Sequence, residues 1–229
     1  MPKTAMDRTT QRLRAVITHE EFDYQALMDA LVNYARPRDK VTRLLANKVI
    51  IRIKKGIYIF GSAYRKRPYS REILANLIYG PSCISLEYAL HYHGLTPERV
   101  ETMTSVTPKR SQQFSTPVGY FTYNRVPMAG FSIGMQRVEL QDGCAFLMAS
   151  AEKALADTLR CGYGLSLNTQ KECYEFLTDS LRINETELRQ LHSPLLKDIA
   201  QTYKSRKIML LATIVQHLNR RQLKIEKGN

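Results

Sequence analysis

The sequence predicts an α+β protein: a small N-terminal unit of helices closed by a basic hairpin, then a mixed α/β domain with a helical C-terminal part. Three observations lead there. Residues 22–60 pass from helical apolar spacing to a β-branched run broken at Lys54-Lys55-Gly56. Residues 101–148 hold short β-rich runs separated by Pro, Gly and Asp-Gly signals, and from Ser150 onward the spacing is helical. Of the 229 residues, 44% are hydrophobic and 24% charged, which suits a chain folded around a core and excludes collagen-like, low-complexity and disulfide-scaffold proteins.

In chain order, Phe22 to Tyr34 places Leu27, Leu31 and Tyr34 at helical spacing. Asp23 is expected to cap this helix, with Phe22 stapling its first turn. A short link over Asn33 to Arg36 leads to Pro37, which suits the first turn of a second helix because its missing N–H needs no partner there. On that helix Val41, Leu44 and Leu45 share one face, and Asp39, Lys40, Arg43 and Asn47 the other. Val49 to Phe60 then reads as a β-hairpin with a basic tip. Ile51, Ile53, Ile57 and Ile59 share one parity and are expected to face the helices, with Arg52 and Lys54 turned away. Helix, turn, helix, basic hairpin is the order of a winged helix-turn-helix, assigned to residues 1–62.

The composition shifts over Gly61 to Ser70, so residues 63–69 are expected to be a linker and 70–229 a second domain. There, Arg71 to Tyr79 is a helix stopped by Gly80-Pro81, and another begins near Ser82 or Ser85 and ends at Gly94. Strands are expected over 101–107, 119–126, 131–140 and 144–148, forming a small sheet within 101–148. Helices follow at 151–160, capped by Ser150, and at 168–180, 184–191, 194–203 and 205–224.

The formal net charge is +13, and its distribution is uneven. Residues 1–70 carry 15 basic and six acidic side chains, residues 71–150 six of each, and residues 151–229 13 and nine. The excess therefore sits on the unit with the basic hairpin, the electrostatic footprint of a polyanion partner. Arg43 and Asn47 are types that pair with guanine and adenine edges; Arg36, Arg38 and Lys40 lie where phosphates would pass; Arg52, Lys54 and Lys55 form the wing. Taken alone, an amphipathic helix with a charged outer face is more often a solvated surface. The hairpin directly after it turns the balance toward double-stranded DNA.

Other chemistry is thin. Cysteines 83, 144, 161 and 173 form no C-x-x-C pair and read as reduced thiols of a cytoplasmic protein. Met1 to Arg8 lacks the apolar core of a signal peptide, and the longest apolar run, 208–215, is far short of a membrane span. His91 and His93 point apart on a helix and lack a third ligand, so no metal is expected. Ser85 with Glu87 and Ser150 with Lys153 are explained by local capping as well as by activated nucleophiles. No phosphate loop, nucleophile elbow or carboxylate cluster occurs, so neither catalysis nor a cofactor is expected.

Five ordered motifs carry a family resemblance. The run Asn47 to Tyr58 resembles the wing of AbiEi-type antitoxins of bacterial type IV toxin–antitoxin systems, and Leu74 to Leu90, spanning Tyr79-Gly80-Pro81-Ser82, is similar to that family's second-domain signature. His93 to Glu98, Thr104 to Thr107 and Ala151 to Asp157 continue it in order. The chain departs from the pattern at Ala151, where the family usually has Pro, and at Cys83, where Tyr is common. The resemblance implies a transcriptional autorepressor that binds its own operator DNA, and a second domain that counteracts a nucleotidyltransferase-like toxin. It implies basic wing and recognition-helix positions at Arg43, Asn47, Arg52, Lys54 and Lys55, and no catalytic residue. The alternatives are an RNA-processing or RNA-modifying enzyme docking through the basic unit, an adaptor that binds a toxin stably, and an orphan winged-helix regulator.

Overall fold

The chain is described by a computed structural model over residues 7–162 and 166–227, the last seven of these as backbone only. Residues 1–6, part of the segment read as lacking a leader, lie outside the described residues. The class is α+β, with two sheets and two buried apolar clusters among the described residues. The first part runs α1 (Arg8–Val16), β1 (Glu21–Asp23), α2 (Tyr24–Ala30), α3 (Pro37–Ala46), β2 (Ile50–Lys54) and β3 (Ile57–Phe60). Its strands form an antiparallel sheet in the order β1-β3-β2.

Local chemistry sets the helix ends. Asp7 accepts from the Thr10 amide at 2.7 Å and Asp23 from the Ala26 amide at 2.8 Å, each satisfying a donor that the first turn leaves open. Pro37 opens α3 as expected. Gly56 holds φ +90° at the hairpin turn, a conformation that a side chain would strain. Gly61 is needed for closeness instead: a Cβ there would stand 1.9 Å from the Lys48 carbonyl oxygen.

The parity expected for the isoleucines is inverted. Ile50, Tyr58 and Phe60 face the helices, in a cluster with Leu13, Phe22, Leu27, Leu31, Val41 and Leu44. Ile53 and Ile59 instead join the larger cluster that contains Leu74, Ala75 and Ile78, with Ile51 and Ile57 packed against it. The physical reason is that this sheet is covered on both faces, so both parities are apolar and alternation does not say which face meets which neighbour. A register shift between Arg52 and Lys54 adds a second change: Lys54 lies opposite Ile57 rather than following Arg52.

The second part comprises α4 (Arg71–Ile78), β4 (Cys83–Ile84), α5 (Leu86–Tyr92), β5 (Met103–Thr107), β6 (Gln112–Thr116), β7 (Gly119–Arg125), α6 (Met128–Phe131), β8 (Met135–Glu139) and β9 (Ala145–Ala149). A helical part follows: α7 (Ala151–Cys161), α8 (Gln170–Glu175), which runs into a π-helical turn at Phe176–Ser180, α9 (Glu185–Gln190), α10 (Ser193–Tyr203) and α11 (Arg206–Lys227). The sheet is mixed, in the order β6-β7-β5-β4-β9-β8, so it begins at Cys83 rather than at residue 101. The strand expected over 131–140 is shorter: Met128–Phe131 forms a short helix and β8 begins at Met135. Ser70 and Ser150 cap α4 and α7 through the Ile73 and Lys153 amides.

The segment between the two parts is held down. The Glu20 carboxylate, 1% exposed, accepts from the Lys66 amide at 2.9 Å and from Arg14 at 2.5 Å, while Arg14 also donates to the Tyr64 carbonyl and covers the Phe60 ring at 3.6 Å. The neighbouring Glu21 accepts from Arg67 at 3.1 Å and from the Ser70 amide. Arg67 reaches on to Asp142 and to the Cys144 sulfur, which also lies 3.1 Å from His19 Nδ1. Residues 63–69 are thus clamped by two consecutive glutamates and an arginine that spans both parts.

Candidate nucleic-acid interface

The turn between α2 and α3 delivers α3 with Val41 and Leu44 buried. That choice of inner face leaves Arg36, Arg38, Arg43 and Asn47 exposed on the outside, as the apolar spacing requires. The side chains of Arg38, Arg43 and Asn47 make no hydrogen bond or ion pair among the described residues, and Arg36 meets only Asp39, at 4.0 Å with both groups exposed. Such an exposed pair contributes little and separates readily for another anion. Lys40 lies 4.9 Å over the Tyr34 ring. Its electrostatic reach extends to Asp7, whose carboxyl is held below the ordinary range first by hydrogen bonds from Thr10 and then by the lysine.

Two further features extend this surface. Arg12, on α1, stands 6.0 Å from the same Tyr34 ring, so two cations from different helices flank one aromatic. Sequence reasoning missed Arg12 because α1 was not anticipated, although Asp7 three residues before Thr10 is a capping signal. At the hairpin, Lys55 is exposed and Arg52 is exposed with its guanidinium 5.9 Å over Tyr58.

Lys54 is placed differently from its neighbours. Its ammonium donates to the Ile78 carbonyl at 2.9 Å and sits 4.1 Å over the Phe114 ring and 5.8 Å from Tyr79. Partial burial pushes its pKa below the ordinary lysine value. Of the eight positions expected to contact DNA, seven therefore present their polar groups outward or on the α3 flank, and Lys54 is turned onto the second part of the chain.

The other singled-out residues form no open site. Among the described residues no group of three or more His, Cys, Asp or Glu side chains is placed to hold a metal. His93 Nε2 contacts the Ala149 carbonyl at 2.8 Å, and His91 is exposed. Ser85 does not cap its helix; its hydroxyl donates to Asp157 at 2.7 Å. Asp157 also accepts from Tyr203 at 2.7 Å and from Lys153 at 3.3 Å, and Lys153 reaches the Tyr203 oxygen at 3.0 Å and the Gly130 carbonyl. The Lys153 and Asp157 side chains are wholly buried. This network is closed to solvent and ties α5, α7, α10 and the Gly130 turn together. Burial and then Asp157 push the Tyr203 hydroxyl well above its ordinary pKa. Burial raises all four thiols, Cys83, Cys161 and Cys173 to about 12, 12 and 11, and none is in a disulfide. No helix is long and apolar enough to cross a membrane among the described residues. No family model matches the chain, and no curated protein sequence matches it significantly.

Proposed function

We propose that the first part of the chain is a winged helix that binds double-stranded DNA, with α3 in the major groove and the β2–β3 hairpin as the wing. The observation that carries this reading is the outer face of α3, where Arg38, Arg43 and Asn47 are exposed and uncommitted beside exposed Arg52 and Lys55. Arginine and asparagine on an exposed helix supply the bidentate donors and acceptors that read guanine and adenine edges. Arg12, Arg36 and Lys40 around Tyr34 supply the backbone contacts that fix its register.

In the wider reading, the chain is a cytoplasmic autorepressor of its own operon and an antitoxin against a nucleotidyltransferase-like toxin, as in the AbiEi-type proteins it resembles. Two of the motifs behind that resemblance meet in space, since Ser85 and Asp157 are hydrogen-bonded across 72 residues of chain. This supports a common architecture for the second part and assigns it no chemistry.

The test is a titration against the DNA upstream of the chain's own gene at several salt concentrations. With six to ten phosphate contacts, affinity falls by roughly 10³- to 10⁵-fold between 50 and 200 mM salt. Binding indifferent to both sequence and salt overturns the DNA reading. Arg43→Ala and Asn47→Ala are each expected to lose about 1–3 kcal/mol of discrimination between operator and random DNA. Lys55→Ala weakens binding to both equally. For the antitoxin half, co-expression with a neighbouring nucleotidyltransferase-like gene product restores growth if the reading is right.

A further inference from the structure

We propose that Lys54 is a positioning residue, which latches the wing onto the second part of the chain, and not a phosphate contact. This rests on the DNA-binding reading and adds to it how the wing is held and what the rest of the molecule does for it.

The placement of Lys54 follows from backbone geometry. In an unbroken strand, Arg52 and Lys54 would lie on one face. The register shift between them leaves Ile53 as the extra residue, which is 5% exposed and buried in the larger core, and brings Lys54 opposite Ile57 on the face packed against that core. There the Tyr79, Phe114 and Tyr123 rings contact one another pairwise with centroids 5.3 to 5.8 Å apart. The ammonium lies over the Phe114 face and donates to the Ile78 carbonyl, one of the acceptors that the end of α4 leaves free. Lys109 approaches Tyr79 from elsewhere, 5.6 Å from its centroid, and bonds the Gly80 carbonyl at 2.6 Å. The Tyr79 hydroxyl donates to the Arg110 carbonyl at 3.1 Å.

The site is thus a box of rings and carbonyls contributed by the end of α4 and the residues just after it, β6 and β7, with a wing side chain inside it. No carboxylate is among its partners. A lysine committed in this way is unavailable to a phosphate without giving up the ring contact and the carbonyl bond. Its exposed neighbours Arg52 and Lys55 stay at the DNA-facing edge because the hairpin between them is anchored from behind. A hairpin of this length is marginal without such support. The state of β6, which carries Phe114 and is an edge strand of the large sheet, is therefore felt at the wing.

Three full-length variants, Lys54→Met, Phe114→Leu and the double substitution, test this. Phe114 is on the second part of the chain and meets the wing at Lys54, so a loss from Phe114→Leu that vanishes in the Lys54→Met background runs through that contact. Each single variant is expected to weaken operator binding by about 2- to 30-fold, the range that cation–π contacts span, and the double variant by no more than the larger single effect. The number of ions released on binding stays at the wild-type value if the wing still lands on DNA. If Lys54→Met weakens binding and lowers the salt slope by about 0.9 while Phe114→Leu is silent, Lys54 is a phosphate contact and the proposal is wrong. Additive losses, or no loss from either change, overturn it as well.

An NMR measurement without DNA keeps the latch separate from the DNA reading. The Lys54 side-chain methylene protons next to the ammonium are expected to be shifted upfield by the Phe114 ring and to return to ordinary lysine positions in Phe114→Leu. Ordinary positions in the wild type refute the latch whether or not the protein binds DNA. A shifted lysine in a chain that ignores DNA leaves the latch standing and removes only the role given to the wing. Tyr79→Leu repeats the measurement if Phe114→Leu does not fold.

Discussion

Asp157 carries three roles at once: acceptor for Ser85, acceptor for Tyr203 and counter-charge for Lys153, all beyond the reach of solvent. Truncating such a residue leaves a buried ammonium without its compensating charge, so Asp157→Ala is expected to cost about 3–5 kcal/mol in chemical denaturation at neutral pH. Tyr203→Phe removes the hydroxyl's bond to Asp157 and the one it accepts from Lys153 but leaves the ion pair, which places its cost nearer about 1–3 kcal/mol. The same tyrosine gives a pH signature. Its folded pKa lies above the unfolded value near 10, so its stabilising contribution is complete below pH 10 and is lost as pH rises, because the unfolded chain releases a proton that the folded chain retains. Stability above pH 10 should fall less steeply in Tyr203→Phe, by about 1.4 kcal/mol per pH unit, and equal slopes in the two proteins would contradict the buried, protonated hydroxyl. None of this network was legible in the sequence. Ser85 read as a cap and Lys153 as a possible activator, because their common partner is 72 positions from one and a helical turn from the other, and only folding shows which of these separations closes. The exposed face of α3 was legible, since a 3.6-residue period fixes which side chains are outside once Val41 and Leu44 are inside.

At the scale of elements, the long helices and the middle strands lay close to the sequence boundaries, because a strong apolar period or a β-branched run marks each of them. Short elements escaped, among them β4 (Cys83–Ile84), α6 (Met128–Phe131), β1, β6 and α1. β1 is only three residues, Glu21–Asp23, and Glu21, with Glu20 just before it, disguises the strand; these two carboxylates are the clamps for the segment at 63–69. β6 is Gln-Gln-Phe-Ser-Thr, a polar edge strand with little intrinsic signal. α1 is Arg-Thr-Thr-Gln-Arg-Leu-Arg-Ala-Val, with too few apolar residues to show a helical period. The β2–β3 hairpin itself was recognised, yet its orientation was not. The unbroken apolar run Ile57-Tyr58-Ile59-Phe60 was the available clue, since strands covered on both faces read as continuous rather than alternating. Ile59 is fully buried against the second part of the chain, so Ile59→Ala is expected to cost about 2–5 kcal/mol even though it removes nothing from the core beneath α2 and α3. Gly61→Ala is a harder case than its size suggests. The added methyl would meet the Lys48 backbone, which has no rotamer to move away, and a loss above about 2 kcal/mol with a shifted hairpin is expected in denaturation and amide-exchange measurements.

For the whole molecule, charge and apolar surface lead to opposite expectations about independence. The net charge divides cleanly: the first 70 residues carry most of the excess and the next 80 are neutral, which suggests a detachable DNA-binding module. The apolar contacts do not divide there. The outer face of the small sheet, with Ile53 and Ile59 at its centre, is part of the same buried cluster as α4 and the large sheet. Glu20, Glu21 and Arg67 pin the intervening segment, and Lys54 fastens the hairpin tip. A fragment of residues 1–69 would carry the charge pattern of a DNA-binding domain and expose a row of isoleucines across a sheet, a surface of the kind that drives association. Such a fragment is expected to self-associate in sedimentation experiments and to recover monomeric behaviour when Ile51, Ile53 and Ile59 are replaced by Thr. The full chain, in contrast, is expected to unfold in one transition, with α3 and α7 losing amide protection together, because opening either part uncovers the core of the other. A first transition confined to residues 7–60, with 71–220 intact, would show that the shared cluster contributes too little to couple them. In that event the second part of the chain would act on DNA only by tethering, and the dependence of the wing on Phe114 would vanish with it.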